Sequence, residues 1–170
     1  MNSPISIRRA SLEDVEALVQ LRLALQLESG HLTQDTMVTA LKQATHQYLK
    51  EALPKETFIA WVAEAEGKIV SSSGLIFFQK PPSENNLSGL EAYILNMYTL
   101  PPWRGQGIAT RLLHELMQFI KQTRAHRIWM YATKDGKPIY EKAGFVPKTR
   151  HTLEMELLWK ESNSEQNEAR

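Results

Sequence analysis

Cysteine is absent from the 170 residues of the chain. Disulfides, thiolate metal sites and any route through a cysteinyl intermediate are thereby excluded. Charge of one sign is also missing: 20 Lys and Arg stand against 19 Asp and Glu, for a net charge of +1. No long-range field therefore argues for nucleic acid, a membrane surface or an acidic partner. No apolar run approaches the ~18 residues that a membrane span requires. The opening Met1-Asn2-Ser3-Pro4 is not followed by a basic and then an apolar stretch, so no secretory signal is expected and the expected location is the cytoplasm. His31, His46, His114, His126 and His151 share no ligand spacing, and no metal site is expected. Ser71-Ser72-Ser73-Gly74 does not form the G-x-S-x-G elbow of a serine hydrolase.

What is present suits one globular core. The apolar fraction is 42 %, and the chain shows neither an internal repeat nor a second domain. Residues 1–160 read as one domain and 161–170 as a polar, disordered tail. Ile5 and Ile7 mark a short strand, and Ser11 caps a helix with Glu13 and Asp14 in its first turn, ending before Gly30. A second helix is expected from about Asp35 to Leu53, stopped by Pro54. Phe58 to Glu64 and Lys68 to Phe78 read as a hairpin turning at Glu66-Gly67, followed by a loop dense in breakers from Gln79 to Gly89. Glu91 to Thr99 is a strand, Gly107 to about Arg124 an amphipathic helix, and Arg127 to Thr133 a strand. Pro138 to Ala143 is a short helix, and Leu153, Met155, Leu157 and Trp159 line one face of a last strand. Adjacent strands give an antiparallel sheet portion, while the strand–helix–strand unit from Glu91 to Thr133 requires a parallel pair. The fold class is α/β of the α+β type: a mixed, mostly antiparallel sheet with helices on both faces.

The strand ending at Thr99 runs through Leu100-Pro101-Pro102-Trp103 into Arg104-Gly105-Gln106-Gly107, where a helix opens. A helix start leaves backbone N–H groups without partners and presents a positive dipole end, and glycines admit a phosphate close to the backbone. A turn that needs glycine only for its shape is the plainer reading of an isolated G-x-G. The dinucleotide fingerprint fails, since Thr110 stands at the third glycine position, and no P-loop pattern exists. The pattern [Arg/Gln]-x-x-Gly-x-[Gly/Ala] is filled by Arg104, Gly107 and Ala109.

With Ile7-Arg8-Arg9-Ala10 at the start, this loop and the closing Tyr140-Glu141-Lys142-Ala143-Gly144-Phe145, the chain resembles the GNAT superfamily of N-acetyltransferases over nearly its whole length. The resemblance implies acetyl-CoA as donor, with Met97, Tyr98 and Thr99 along the pantetheine arm. Arg104, Gly105, Gln106, Gly107, Ile108, Ala109 and Thr110 would surround the phosphates. It implies too that the strand after the helix splays from the Glu91–Thr99 strand to admit the acetyl group, and that Tyr140 acts as general acid. A homodimer is a further expectation from the resemblance. One departure stands out: Thr133 occupies the place, seven residues before Tyr140, where the family often has a cofactor-contacting asparagine.

Attack of an amine on a thioester calls for a polarised carbonyl and a proton for the departing sulfur. A backbone N–H near Met97 would polarise the carbonyl, and Tyr140, neutral at its ordinary pKa of about 10, can donate to the sulfur. Tyr140 merely packed on the sheet is the competing reading. Two carboxylates are candidate bases: Glu91, expected on one strand face with Tyr93, Leu95 and Met97, and Glu28, at the end of the first helix, where the acceptor site would lie. A solvated surface role competes for each. The expected function is acetyl transfer to a primary amine of a small molecule or peptide. Alternatives are a non-catalytic acyl-CoA sensor or transfer of a longer acyl group. Glu28, Asp35, Glu84 and Glu91 give a faint acidic cue toward a cationic amine.

Overall fold

The computed structural model describes residues 4–32, 35–148 and 155–157. Strand β1 (Ser6–Arg9) leads into Ser11, which caps a short 3-10 turn, Leu12–Asp14, and then helix α1 (Val15–Glu28). Ser11 Oγ accepts from Glu13 N–H at 3.3 Å, and Asp14 returns the bond, its Oδ2 accepting Ser11 N–H at 2.8 Å. This capping box satisfies donors that the first turn leaves unpaired. Asp14 is buried and also accepts from both Arg8 Nη atoms, at 2.7 and 2.8 Å. The Arg8 guanidinium holds the Asp14 carboxyl below the usual carboxylate range.

Helix α2 (Asp35–Ala52) ends just before Pro54, and the chain enters strands β2 (Ile59–Ala65), β3 (Lys68–Gln79) and β4 (Leu90–Thr99). Helix α3 (Ile108–Ile120), strand β5 (Arg127–Trp129) and helix α4 (Lys137–Lys142) follow. The sheet order is β1-β2-β3-β4-β5, with every neighbour antiparallel except the parallel pair β4 and β5. The expected mixed sheet is therefore present, with the crossover helix α3 joining its parallel strands.

Both faces of the sheet are covered, which is why Phe58-Ile59-Ala60-Trp61-Val62-Ala63 is apolar without interruption. Ile59, Trp61 and Ala63 pack with Leu75, Ala92 and Ile94 against Ile108, Leu112, Leu116 and Ile120 of α3. Phe58, Ala60 and Val62 pack on the other face against Val15, Leu18 and Val19 of α1 and Leu49 and Ala52 of α2. Each large aliphatic side chain fully buried here contributes about 1.5–3 kcal/mol of transfer free energy.

Strand β4 is bulged. Ser72 pairs with Tyr98 and Gly74 with Leu95, so Ser73 faces both Asn96 and Met97. Asn96 takes the left-handed conformation, φ +52°, that such an extra residue requires. The serines of β3 fasten the bulged segment from below. Ser71 Oγ donates to Tyr98 O at 2.7 Å, and Ser72 Oγ donates to Asn96 O at 3.4 Å. Gly74 is required opposite the bulge: a β-carbon there would lie 2.6 Å from the Phe58 ring.

The bulge corrects one expectation. Alternation puts Glu91, Tyr93, Leu95 and Met97 on one face, but the extra residue reverses the phase. Leu95 packs on the α1–α2 side, whereas Met97 packs with the α3 cluster. The 161–170 tail lies outside the described residues. So does the strand expected over 153–159 apart from 155–157, where Met155 and Leu157 are exposed and in no strand.

Candidate active site

The site is built where β4 loses its neighbour. Pairing with β5 covers Glu91 with Arg127, Ala92 with Ile128 and Tyr93 with Trp129, and then stops, while β4 continues to Thr99. The edge of β4 beyond Tyr93 faces a gap. A cleft of about 990 Å³ fills it, with Met97, Tyr98 and Thr99 on one side and Thr133, Gly136, Ile139 and Tyr140 on the other. Its floor is the glycine loop and the start of α3, with Trp103, Arg104, Gly105, Gly107, Ile108, Ala109 and Thr110 lining it. Gln106 is absent from the lining; its side-chain amide reaches Pro102 O at 3.5 Å instead.

Two glycines shape the loop for backbone reasons. Gly105 and Gly107 have φ of +76° and +75°, a region where a side chain is strained. A β-carbon on either would meet nothing within 4 Å, so the space in front of the loop is open. Gly107 is the N-cap of α3 and has no side chain to cap it. The first-turn amides of α3 at Ile108, Ala109 and Thr110 thus stand at the cleft with the positive end of the helix dipole. A helix start of this kind is suited to an anion such as a phosphate.

Arg104 secures the loop. Its Nη2 donates to Glu28 Oε2 at 2.7 Å, its Nε to Thr99 O at 2.9 Å, and its guanidinium lies 5.4 Å from the Tyr98 ring centroid. Tyr98 OH donates to the same Glu28 oxygen at 2.8 Å. The hydrogen bonds from Arg104 and Tyr98 hold the Glu28 carboxyl below its usual range. Glu28 lines the cleft, yet its Oε2 takes both hydrogen bonds and its basicity is reduced; this speaks against the role of base.

Tyr140 sits on α4 with its ring edge-on to Phe145 at 6.1 Å between centroids. Burial pushes its phenol above the ordinary tyrosine value, so the proton is held firmly. Thr133 contributes differently from an asparagine: its Oγ1 accepts Gly136 N–H at 3.1 Å, and its carbonyl accepts Lys137 N–H at 3.0 Å. Thr133 thereby shapes the turn that carries Tyr140. Gly136 is tightly placed, since a β-carbon would approach the Tyr140 ring to 3.0 Å and Thr133 Oγ1 to 3.2 Å.

Glu91 does not join this site. It is buried at the opposite end of β4, where Lys80 Nζ and Arg127 Nη1 donate to its Oε2 at 2.9 and 2.8 Å. Burial pushes the carboxyl up, but the hydrogen bonds from Lys80 and Arg127 outweigh it, and the net pKa is lowered. The expectation of Glu91 as base is corrected on placement and on charge.

Sequence reasoning missed Leu25, Ser29, His31, Ile139 and Lys142, which also line the cleft. Leu25 and Ser29 stand three residues before and one after Glu28, so the helical period around Glu28 held a usable signal for Leu25. His31 had none. No group of three or more His, Asp or Glu suited to a metal ion occurs among the described residues.

The chain matches the model of the acetyltransferase (GNAT) domain over residues 56–147. It is 27 % identical over 146 residues to the uncharacterized N-acetyltransferase YjgM of Escherichia coli, covering 84 % of this chain and 82 % of the relative. A predicted acetyltransferase from Clostridium acetobutylicum, solved with acetyl-CoA, superposes with a TM-score of 0.78 at 31 % identity, covering 90 % of this chain and 96 % of that one. A GCN5-related N-acetyltransferase from Ralstonia eutropha gives the same TM-score of 0.78 at 24 % identity, covering 89 % and 99 % of the two chains, a likeness of fold. By the domain match and the likeness to the Clostridium acetobutylicum protein, the chain belongs to the GNAT acetyltransferases.

Proposed function

We propose that the protein transfers an acetyl group from acetyl-CoA directly to a primary amine, in the cytoplasm. The observation that carries this reading is the shared cleft: the uncapped start of α3 and the Tyr140 phenol line one cavity between β4 and β5. Similarity to the Clostridium acetobutylicum protein, solved with acetyl-CoA, supports the choice of donor.

Acetyl-CoA supplies an acetyl group already activated as a thioester. The α3 amides from Ile108 to Thr110, with the glycine loop, would hold the pyrophosphate. The open edge of β4 from Met97 to Thr99 offers backbone groups to the pantetheine amides, as one strand does to another. An amide near Met97 would stabilise the developing oxyanion. Tyr140 would donate its proton to the departing sulfur and then recover one from solvent. With Glu28 pinned by Arg104 and Glu91 remote, neither glutamate takes the ammonium proton of the acceptor, which would pass to water.

Calorimetry with CoA and thiol release across a panel of amines test the proposal. Binding of CoA, turnover with at least one amine and its loss in Tyr140→Phe are expected. A wild-type protein that binds no CoA overturns the reading, and tight binding without turnover on any amine makes it a sensor.

A further inference from the structure

Among the described residues Arg22 is a cation without an anion. It lies on α1 three residues before Leu25, on the side of the helix that continues toward the cleft. Its Nη1 donates to Asn96 Oδ1 at 2.6 Å, which ties it to the bulge beside Met97. That neutral amide is its hydrogen-bond partner, and among the described residues no carboxylate forms an ion pair with it. The side chain is half-buried, and its charge acts on Tyr48 of α2 and Tyr93 of β4, lowering phenols that burial raises. A partly desolvated guanidinium with one neutral partner retains donors in a fork that matches a carboxylate.

Two of the four carboxylates that suggested a cationic acceptor are already neutralised. Glu28 is paired with Arg104, and Glu91 is shared by Lys80 and Arg127. The acidic cue toward a cationic acceptor is thereby weakened. Beside Arg22, Tyr93 stacks on Trp129 at 4.3 Å, on the last rung before the strands part. Tyr131 stands edge-on to both rings and is 66 % exposed. Tyr93 and Trp129 form a flat apolar wall, with Lys80 and Arg127, both paired to Glu91, over the Trp129 ring.

We propose that the acceptor is a primary amine carrying a carboxylate, which Arg22 receives while the Tyr93–Trp129 wall covers its apolar part. This rests on the acetyltransferase reading. One guanidinium balances one carboxylate, whereas a phosphate brings about −1.5 to −2 charges and calls for more cations than Arg22 supplies.

The test uses the CoA-loaded protein and calorimetry with the twenty amino acids and their amides, plus O-phosphoethanolamine against ethanolamine. At least one amino acid should bind about 10- to 100-fold more tightly than its amide, as expected for a charge-assisted pair. Arg22→Gln should abolish that difference and Arg22→Lys restore part of it, with CoA affinity unchanged and melting temperature confirming the fold of both. Equal binding of acids and amides, a preference for O-phosphoethanolamine over every amino acid, or an unaltered difference in Arg22→Gln would overturn the proposal. If CoA binds and amines are acetylated without preference for a carboxylate, the acceptor inference fails alone. If CoA does not bind, the acetyltransferase reading fails, and this inference with it.

Discussion

Arg104 donates to Glu28 at 2.7 Å and so ties the glycine loop to the end of α1, two segments 76 residues apart in the chain. Glu28 is held below its usual range by Arg104 and then by Tyr98, so it is ionised throughout the neutral region. Glu28→Gln should therefore leave the shape of the kcat/KM–pH profile between pH 6 and 8 unchanged, while Arg104→Ala weakens CoA binding by loosening the loop. Loss of a neutral-range ionisation in Glu28→Gln would restore Glu28 as the base.

Tyr140→Phe should lower kcat by about 10²- to 10⁴-fold, the usual contribution of a positioned acid, with little change in CoA affinity. Because burial raises the Tyr140 phenol, any basic limb it governs must fall above the ordinary tyrosine value of about 10. The profile should accordingly rise from pH 7 to 9 as the amine deprotonates. A decline in that interval would assign the acid elsewhere.

Gly107→Ala separates backbone strain from ligand approach. A β-carbon there meets nothing in the free protein, so the stability cost should be the left-handed penalty alone, about 1–2 kcal/mol. Affinity for CoA should fall by about tenfold or more, since the β-carbon enters the space before the α3 amides. Thermal denaturation and calorimetry on the same sample resolve the two effects, and undiminished affinity would remove the phosphate from this loop.

Much of this site was legible in the sequence because it depends on local rules. Gly105 and Gly107 are needed for a backbone angle, and a helix start after a strand presents its amides whatever surrounds it. Tyr140 came instead from the resemblance of its segment to a family motif. The partners of the carboxylates were not legible, because Arg104 meets Glu28 and Arg127 meets Glu91 only after the sheet is assembled. The face of Met97 was misread for a related reason: period-two alternation assumes a uniform strand, and nothing near Asn96 announces a left-handed residue. Arg22 carried no motif at all, and its meaning depends on which carboxylates the fold leaves free.

Glu91→Gln should behave as a stability variant. Removing the charge leaves Lys80 and Arg127 facing a neutral amide, at a cost of about 2–3 kcal/mol, less than a fully buried pair because Lys80 is half exposed. Turnover per folded molecule should be unchanged. A large fall in kcat with an unaltered melting temperature would contradict the placement of Glu91 outside the site.

Asp14 sets an acid limit on stability. Its carboxyl is held low by Arg8, so the folded pKa lies beneath the unfolded value of about 3.9. The contribution is fully present above the unfolded pKa and is lost as pH falls through the folded one. Asp14→Ala should lower stability at neutral pH by about 2 kcal/mol through the lost cap and pair. The gap from wild type should narrow below pH 4, and a gap that persists to pH 2 would mean that the carboxylate is not the source.

The bulge at Asn96 makes β4 a strand in which counting matters more than composition. Before it, Ala92 and Ile94 face α3; after it, Met97 does, and Tyr98 turns toward Glu28. Many side chains along β4 could be exchanged for others of similar size without disturbing that arrangement. Asn96 is the extra residue, so deleting it would straighten the strand yet leave Met97 on the α3 side and Tyr98 on the α1 side. Forcing it into the regular extended conformation would instead exchange the two sides, sending Tyr98 under α3 and Met97 toward α1. What the arrangement depends on here is the left-handed backbone of Asn96, not the size of any one side chain.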